Sequence, residues 1–138
     1  MGKPYEITYE YMPEYLFVIV SGDTDNFEIS LQYWKEIAEE CVKRGYRKVL
    51  VEERITGLSS EEDSYEVGKA LAEFFPENVL VAFVDSQLEH RSINEVCEIV
   101  VRNRGFKGRI FGTLEEAHEW LIQNEPEQSE ITEKKFSH

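Results

Sequence analysis

The chain has 138 residues, the length of one ordinary domain, and hydrophobic and aromatic shares of 41% and 12%, enough to bury a core without disulfide or metal staples. Its formal net charge of -13 argues against nucleic acid, whose phosphates demand Lys and Arg, and against an anionic membrane surface. No apolar run approaches the roughly 18–20 residues of a spanning helix, and Glu6, Glu10 and Glu14 ahead of "YLFVIV" are unlike a secretory leader, so a soluble, cytoplasmic protein without membrane insertion is expected.

"YEITYEYM" alternates and "YLFVIVSG" is rich in β-branched and aromatic residues, with Pro13 between them; the pair predicts an antiparallel hairpin. Phe27, Leu31, Trp34, Ile37, Ala38 and Cys41 recur at three and four, the spacing of one helix face. Asp23, Thr24 or Asp25 is placed to cap this helix and Gly45 to close it. "RKVLVEE" reads as a central strand covered on both faces. After "RITGL", the positions Val67, Ala70, Leu71 and Phe74 mark a second helix that stops at Pro76, and "NVLVAFVD" is the next strand, ending at Asp85. Ile93, Val96, Cys97, Val100 and Val101 carry a third helical stripe, with Ser92 and Glu95 spaced as a capping box and Gly105 as its stop. "GRIFG" is a short strand, and Thr113 with Glu116 forms another box ahead of Leu114, Ala117, Trp120 and Leu121. From residue 124 to 138 too few apolar residues remain to offset the entropy of ordering. One domain over 1–123 and a flexible polar tail over 124–138 are expected.

The order β-β-α-β-α-β-α-β-α predicts an α/β fold: a four- to five-stranded, mostly parallel mixed sheet with an N-terminal antiparallel hairpin and four helices. The stretches "EIAEECVKRGYRKVLVEE", "SYEVGKALAEFF" and "VVRNRGFKGRIFGTLEEAHEWL" resemble the SpoIIAA-like family of small bacterial proteins, distant members of the STAS superfamily (sulfate transporter and anti-sigma factor antagonist), over roughly residues 5 to 122. The resemblance implies a compact domain with helices packed on a mixed sheet. It also implies a phosphorylatable serine or threonine in an Asp-Ser-Ser-Gly-type turn opening the helix after the third strand. In this chain Gly57, Leu58, Ser59, Ser60, Glu61 and Glu62 occupy that position, with the serines but without the flanking aspartate and glycine. A likeness in shape to SEC14-type lipid carriers further implies an apolar ligand.

In a parallel sheet ligands gather beyond the strand carboxyl ends, which here carry Ser21, Asp23, Glu52, Glu53, Ser59, Ser60, Asp85, Ser86 and Gly112. Glu52 and Glu53 are adjacent on a strand, so they point to opposite faces and form no acid–base pair. No G-x-S-x-G is present. His90 could approach Asp85 or the serines, yet His90, His118 and His138 all read more readily as solvated surface. Asp23, Asp25, Glu28, Glu61, Glu62 and Asp63 are oxygen-rich but match no calcium loop, and no Cys or His spacing suits zinc. "RGFKGRIFG" leads into a strand and is no phosphate cradle. No catalytic residue, metal or cofactor is therefore predicted, and Cys41 and Cys97, each on an apolar stripe, read as reduced core thiols.

Ser59 with Glu62, or Ser60 with Asp63, is spaced to cap the second helix. A phosphate there would add up to about two negative charges, compatible with a helix N-terminus but repelled by Glu61, Glu62 and Asp63. Glu52, Glu53, Glu61, Glu62, Asp63, Asp85 and Glu89 would gather at one end of the sheet. Lys43, Arg44, Arg47, Lys48, Arg102, Arg104, Lys107 and Arg109 would lie at the other. The leading expectation is a non-enzymatic regulatory or interaction module in which Ser59, Ser60, Glu61, Glu62 and Asp85 form a switch or a contact for a protein partner with a basic surface. The alternatives are a carrier of a small apolar or lipid-like ligand held between helices and sheet, and an enzyme of unnamed reaction. A homo-oligomer is compatible with each.

Overall fold

The computed structural model describes residues 4–24, 26–55, 60–76, 78–87 and 90–126. Strands β1 (Tyr5–Tyr11) and β2 (Leu16–Gly22) pair antiparallel from Tyr5 opposite Gly22 to Tyr11 opposite Leu16, the chain reversing around Pro13. Then follow α1 (Phe27–Arg44), β3 (Lys48–Ile55), α2 (Glu61–Phe74), β4 (Leu80–Val84), α3 (Arg91–Asn103), β5 (Lys107–Phe111) and α4 (Leu114–Gln123). Strands β2 to β5 run parallel in one five-stranded sheet of order β1-β2-β3-β4-β5. This is the mixed α/β fold the element order predicts. No helix among the described residues is long and apolar enough to cross a membrane.

Each parallel crossover steps one strand in the same direction, so connections of one hand place α1, α2 and α3 on one face of the sheet. The two cores agree. Val49, Val51, Val81 and Phe83 pack with Ile37, Leu71 and Val101 of those helices, whereas Leu50, Leu80, Ala82 and Val84 pack with Ala117 and Leu121 of α4. The period-two alternation of β3 and β4 thus divides each strand between two apolar layers.

Helix ends follow local chemistry with two departures from expectation. Gly45 closes α1 at φ 74, as predicted, and Pro76 follows a helix that has ended at Phe74. The cap of α1, however, is Asn26, whose Oδ1 accepts the Ile29 amide at 2.9 Å. Asp23 and Thr24 precede the Phe27 start by too much to reach that amide, and Asp25 lies outside the described residues. Helix α3 begins at Arg91 behind His90 with no side-chain cap, so Ser92 falls inside the helix and its box with Glu95 does not form. Thr113 does cap α4, accepting from the Glu116 amide and donating to its carboxylate.

Ser60 caps α2: its Oγ accepts the Asp63 amide at 3.0 Å. Ser60→Ala should therefore cost about 1 kcal/mol, read as a fall in the urea midpoint, while Ser60→Asp, which keeps an acceptor there, should cost much less.

Beyond α4 the chain stays on the body through Pro126, which is buried. Lys48 Nζ donates to Leu121 O at 2.7 Å and Glu125 at 2.8 Å, and Lys107 Nζ donates to Pro126 O at 2.8 Å. Lys48, read as part of the basic end of the sheet, is nearly enclosed, its ammonium taken up by the carbonyl end of α4. Residues 127–138 lie outside the described part.

Candidate functional site

Strand phase decides where the acidic residues of "VEER" go. Val49, Val51, Glu53 and Ile55 share the face toward α1 to α3, and Glu53 is only 7% exposed. Glu52 turns to the other face and pairs with Arg54 at 2.9 Å. The two carboxylates diverge as expected, but the divergence drives one of them into the interior.

Asp85 follows β4 directly, and its amide donates to Phe111 O at 3.1 Å. Its Oδ1 accepts the Gln87 amide at 3.0 Å. Its Oδ2 accepts from Asn94 Nδ2 at 2.9 Å and lies 2.7 Å from His90 Nδ1. Gln87 Nε2 donates to Ile55 O at 2.7 Å, tying this turn to β3. His90, at the α3 start, is 5% exposed, and its Nδ1 is also 3.7 Å from Glu53 Oε1. Asn94 lies one turn along the same helix face. Donor atoms of Glu53, Asp85 and His90 thus fall within 4.8 Å of one another. The opposite ring nitrogen, His90 Nε2, is buried and has no hydrogen-bond partner among the described residues.

His90 forms part of the wall of a cavity of about 70 Å³ between the sheet and α1 to α3. Trp34, Leu71, Phe83, Val101 and Phe106 make it mostly apolar, and Glu53, Asn94 and Cys97 share the polar side with His90. Gly68 lets α2 approach α3 here: a Cβ on it would meet Val100 at 3.0 Å and Cys97 O at 3.3 Å. A second cavity of about 240 Å³ adjoins the first at Asn94, Glu98 and Ile110, and is lined also by Asp85, Arg91 and Glu95.

Both thiols sit in surroundings that disfavour the thiolate. Burial, then the negative charges of Glu53 and Glu98, push Cys97 up to about 12, and burial pushes Cys41 up to about 11. A thiol held protonated near neutrality attacks slowly. The native protein should accordingly react negligibly with a disulfide reagent at pH 8, and both thiols should titrate once it is unfolded in urea.

Several sequence expectations change. Asp85, read as part of an acidic contact surface, is instead buried, its side chain 0% exposed, because it organises the turn into α3. His90, read as solvated surface, is interior for the same reason. Ser60 caps α2 and Glu62 is exposed. Glu61 opens that helix, its side chain outside the described part, and Ser59 is outside it altogether. Of the residues that converge, the approach of His90 to Asp85 is anticipated as a possibility by the sequence, and Glu53 is placed at the same strand ends, but their burial and the part of Asn94 are not. A signal existed for His90 and Asn94: positions 90, 94, 97 and 101 continue the apolar stripe of α3 backward as His, Asn, Cys and Val.

No protein-family profile matches the chain, and no curated protein does. Among solved structures the chain is similar to the NMR structure of the protein TM1081, at 16% identity and a TM-score of 0.49, over 84% of this chain and 88% of that one.

Proposed function

We propose that this chain is a non-enzymatic binding module of the SpoIIAA-like, STAS type, and that its working part is the cavity under α3 rather than the serine-bearing turn. The observation that carries this reading is His90 Nε2. An imidazole fixed through Nδ1 by a carboxylate presents its other nitrogen in one direction, and leaving that nitrogen unpaired in the interior costs roughly 1–3 kcal/mol. A ligand that hydrogen-bonds to it recovers that cost while its apolar part fills the space beside Trp34 and Phe83.

Size selects among ligands. About 70 Å³ is far below the roughly 300–1,000 Å³ of pockets for drug-sized molecules. The occupant is then a compact molecule with one polar group, and a lipid tail does not fit. The Asp85–His90 bond would also suit a general base, but no hydroxyl or thiol among the described residues lies within hydrogen-bond reach of Nε2, which favours binding over catalysis.

The test is amide NMR of chelator-treated protein titrated with methanol, ethanol and short carboxylic acids, probes small enough for the space. At least one should shift the amides of His90, Asn94, Val101 and Phe106, and Leu71→Trp, which fills the cavity, should abolish the shifts. If none of the compounds moves those amides, or if Leu71→Trp responds like the parent chain, the cavity is not a binding site.

A further inference from the structure

We infer that Glu53, Asp85 and His90 form a site for a divalent first-row transition-metal ion, with His90 Nδ1 and one oxygen from each carboxylate as the donors. This goes beyond the cavity reading and does not depend on it, because the ion would take the place of the proton between Nδ1 and Asp85 rather than the cavity itself.

Donor spacing is the first support. Nδ1 lies 2.7 Å from Asp85 Oδ2 and 3.7 Å from Glu53 Oε1. Tetrahedral bonds of about 2.0–2.2 Å place donors roughly 3.3–3.6 Å apart, so the two separations from Nδ1 lie on either side of that range, one opening and one closing, and the Glu53 and Asp85 oxygens are within 4.8 Å of each other. The chemistry of the set comes next. One imidazole with two carboxylates suits zinc, manganese, iron or cobalt; soft copper(I) wants thiolates, and calcium and magnesium want all-oxygen shells. The location agrees as well: both carboxylates lie in the interior, and the three groups bound to Asp85 include no Lys or Arg.

The surroundings fit a metal centre. The Gln87 amide and Asn94 side chain hold the Asp85 carboxylate in place, as outer partners of metal ligands do. The cavity of about 240 Å³ next to the cluster is lined by Asp85, Glu95 and Glu98 alongside Arg91, an acidic approach for a cation.

For His90 Nε2, on the opposite side of the ring, an ion at this site has a consequence. With a proton on Nδ1, the unpartnered Nε2 is a hydrogen-bond acceptor; with an ion on Nδ1, the ring proton must sit on Nε2, which becomes a donor. The ion would therefore invert what the cavity can bind, from a ligand that donates to one that accepts.

The probe is Zn²⁺, titrated into chelator-treated full-length protein in excess Mg²⁺, which masks surface carboxylates, and followed by imidazole ¹⁵N NMR and calorimetry. One Zn²⁺ per chain is expected, with the His90 Nδ1 resonance moving and Nε2 becoming protonated. Glu53→Gln should weaken binding by at least about 100-fold, and so should His90→Gln, with circular dichroism showing each variant folded. Displacement of Zn²⁺ by Mg²⁺, perturbation of His118 in place of His90, or unchanged affinity in Glu53→Gln would each overturn the site. Compact ligands are screened with chelator present, so failure here and failure of the cavity reading are separate results.

Discussion

Asp85→Ala is expected to lower the free energy of unfolding by about 3–5 kcal/mol, the largest loss from any single polar residue in the site. The carboxylate takes the Gln87 amide, His90 Nδ1 and Asn94 Nδ2 within 3.0 Å, and each buried donor left without an acceptor costs roughly 1–3 kcal/mol. Asp85→Asn keeps the shape and one acceptor oxygen, so it should lose about half as much. Urea denaturation of both variants measures this. A midpoint for Asp85→Ala close to that of the parent chain would mean that the turn into α3 is held by packing alone. His90→Ala combined with Asp85→Ala should cost less than the sum of the two, since the groups share one hydrogen bond.

Trp34→Ala should cost about 3–5 kcal/mol as well, for an apolar reason. The indole is 4% exposed and meets Phe83 at 5.5 Å, Tyr33 at 5.8 Å and Phe75 at 6.1 Å between ring centroids, joining α1 to the sheet beside the cavity. Removing it extends an existing void rather than opening a sealed one, so the enlarged space should accept an aromatic molecule. Thermal unfolding with added indole tests this: the melting temperature of Trp34→Ala should rise with indole concentration, as mass action requires of a ligand that binds only the folded state, by more than that of the parent chain. An unchanged melting temperature in Trp34→Ala would show that the helices collapse into the gap.

The strands and helices were legible because their signals are local: alternation in "YEITYEYM", three-four spacing from Phe27, and Gly45 and Pro76 as stops. Caps were less so. Four polar residues precede Phe27, and a shift of one position decides which of them reaches the Ile29 amide. The start of α3 misled for another reason: His90 binds Asp85 and leaves the helix without the box that Ser92 and Glu95 suggest. The site itself depends on the parallel register of β3 and β4, which sets Glu52 opposite Val84 and brings Glu53 to His90. Nothing local encodes that register. The preference of Glu and His for solvent also pointed outward, although the phase of Glu53 with Val49, Val51 and Ile55 pointed in.

The sequential strand order bears on how the protein is made. Every strand pairs with the one synthesised just before it, so no strand has to be threaded between two already joined, and no sheet contact waits for more chain than one helix and its connections. A growing chain can close the hairpin and then add one crossover at a time. Lys48 is one exception among the side chains. It opens β3, yet its ammonium finds Leu121 O and Glu125 only when the end of α4 arrives, so the end of α4 seals a strand laid down well before it.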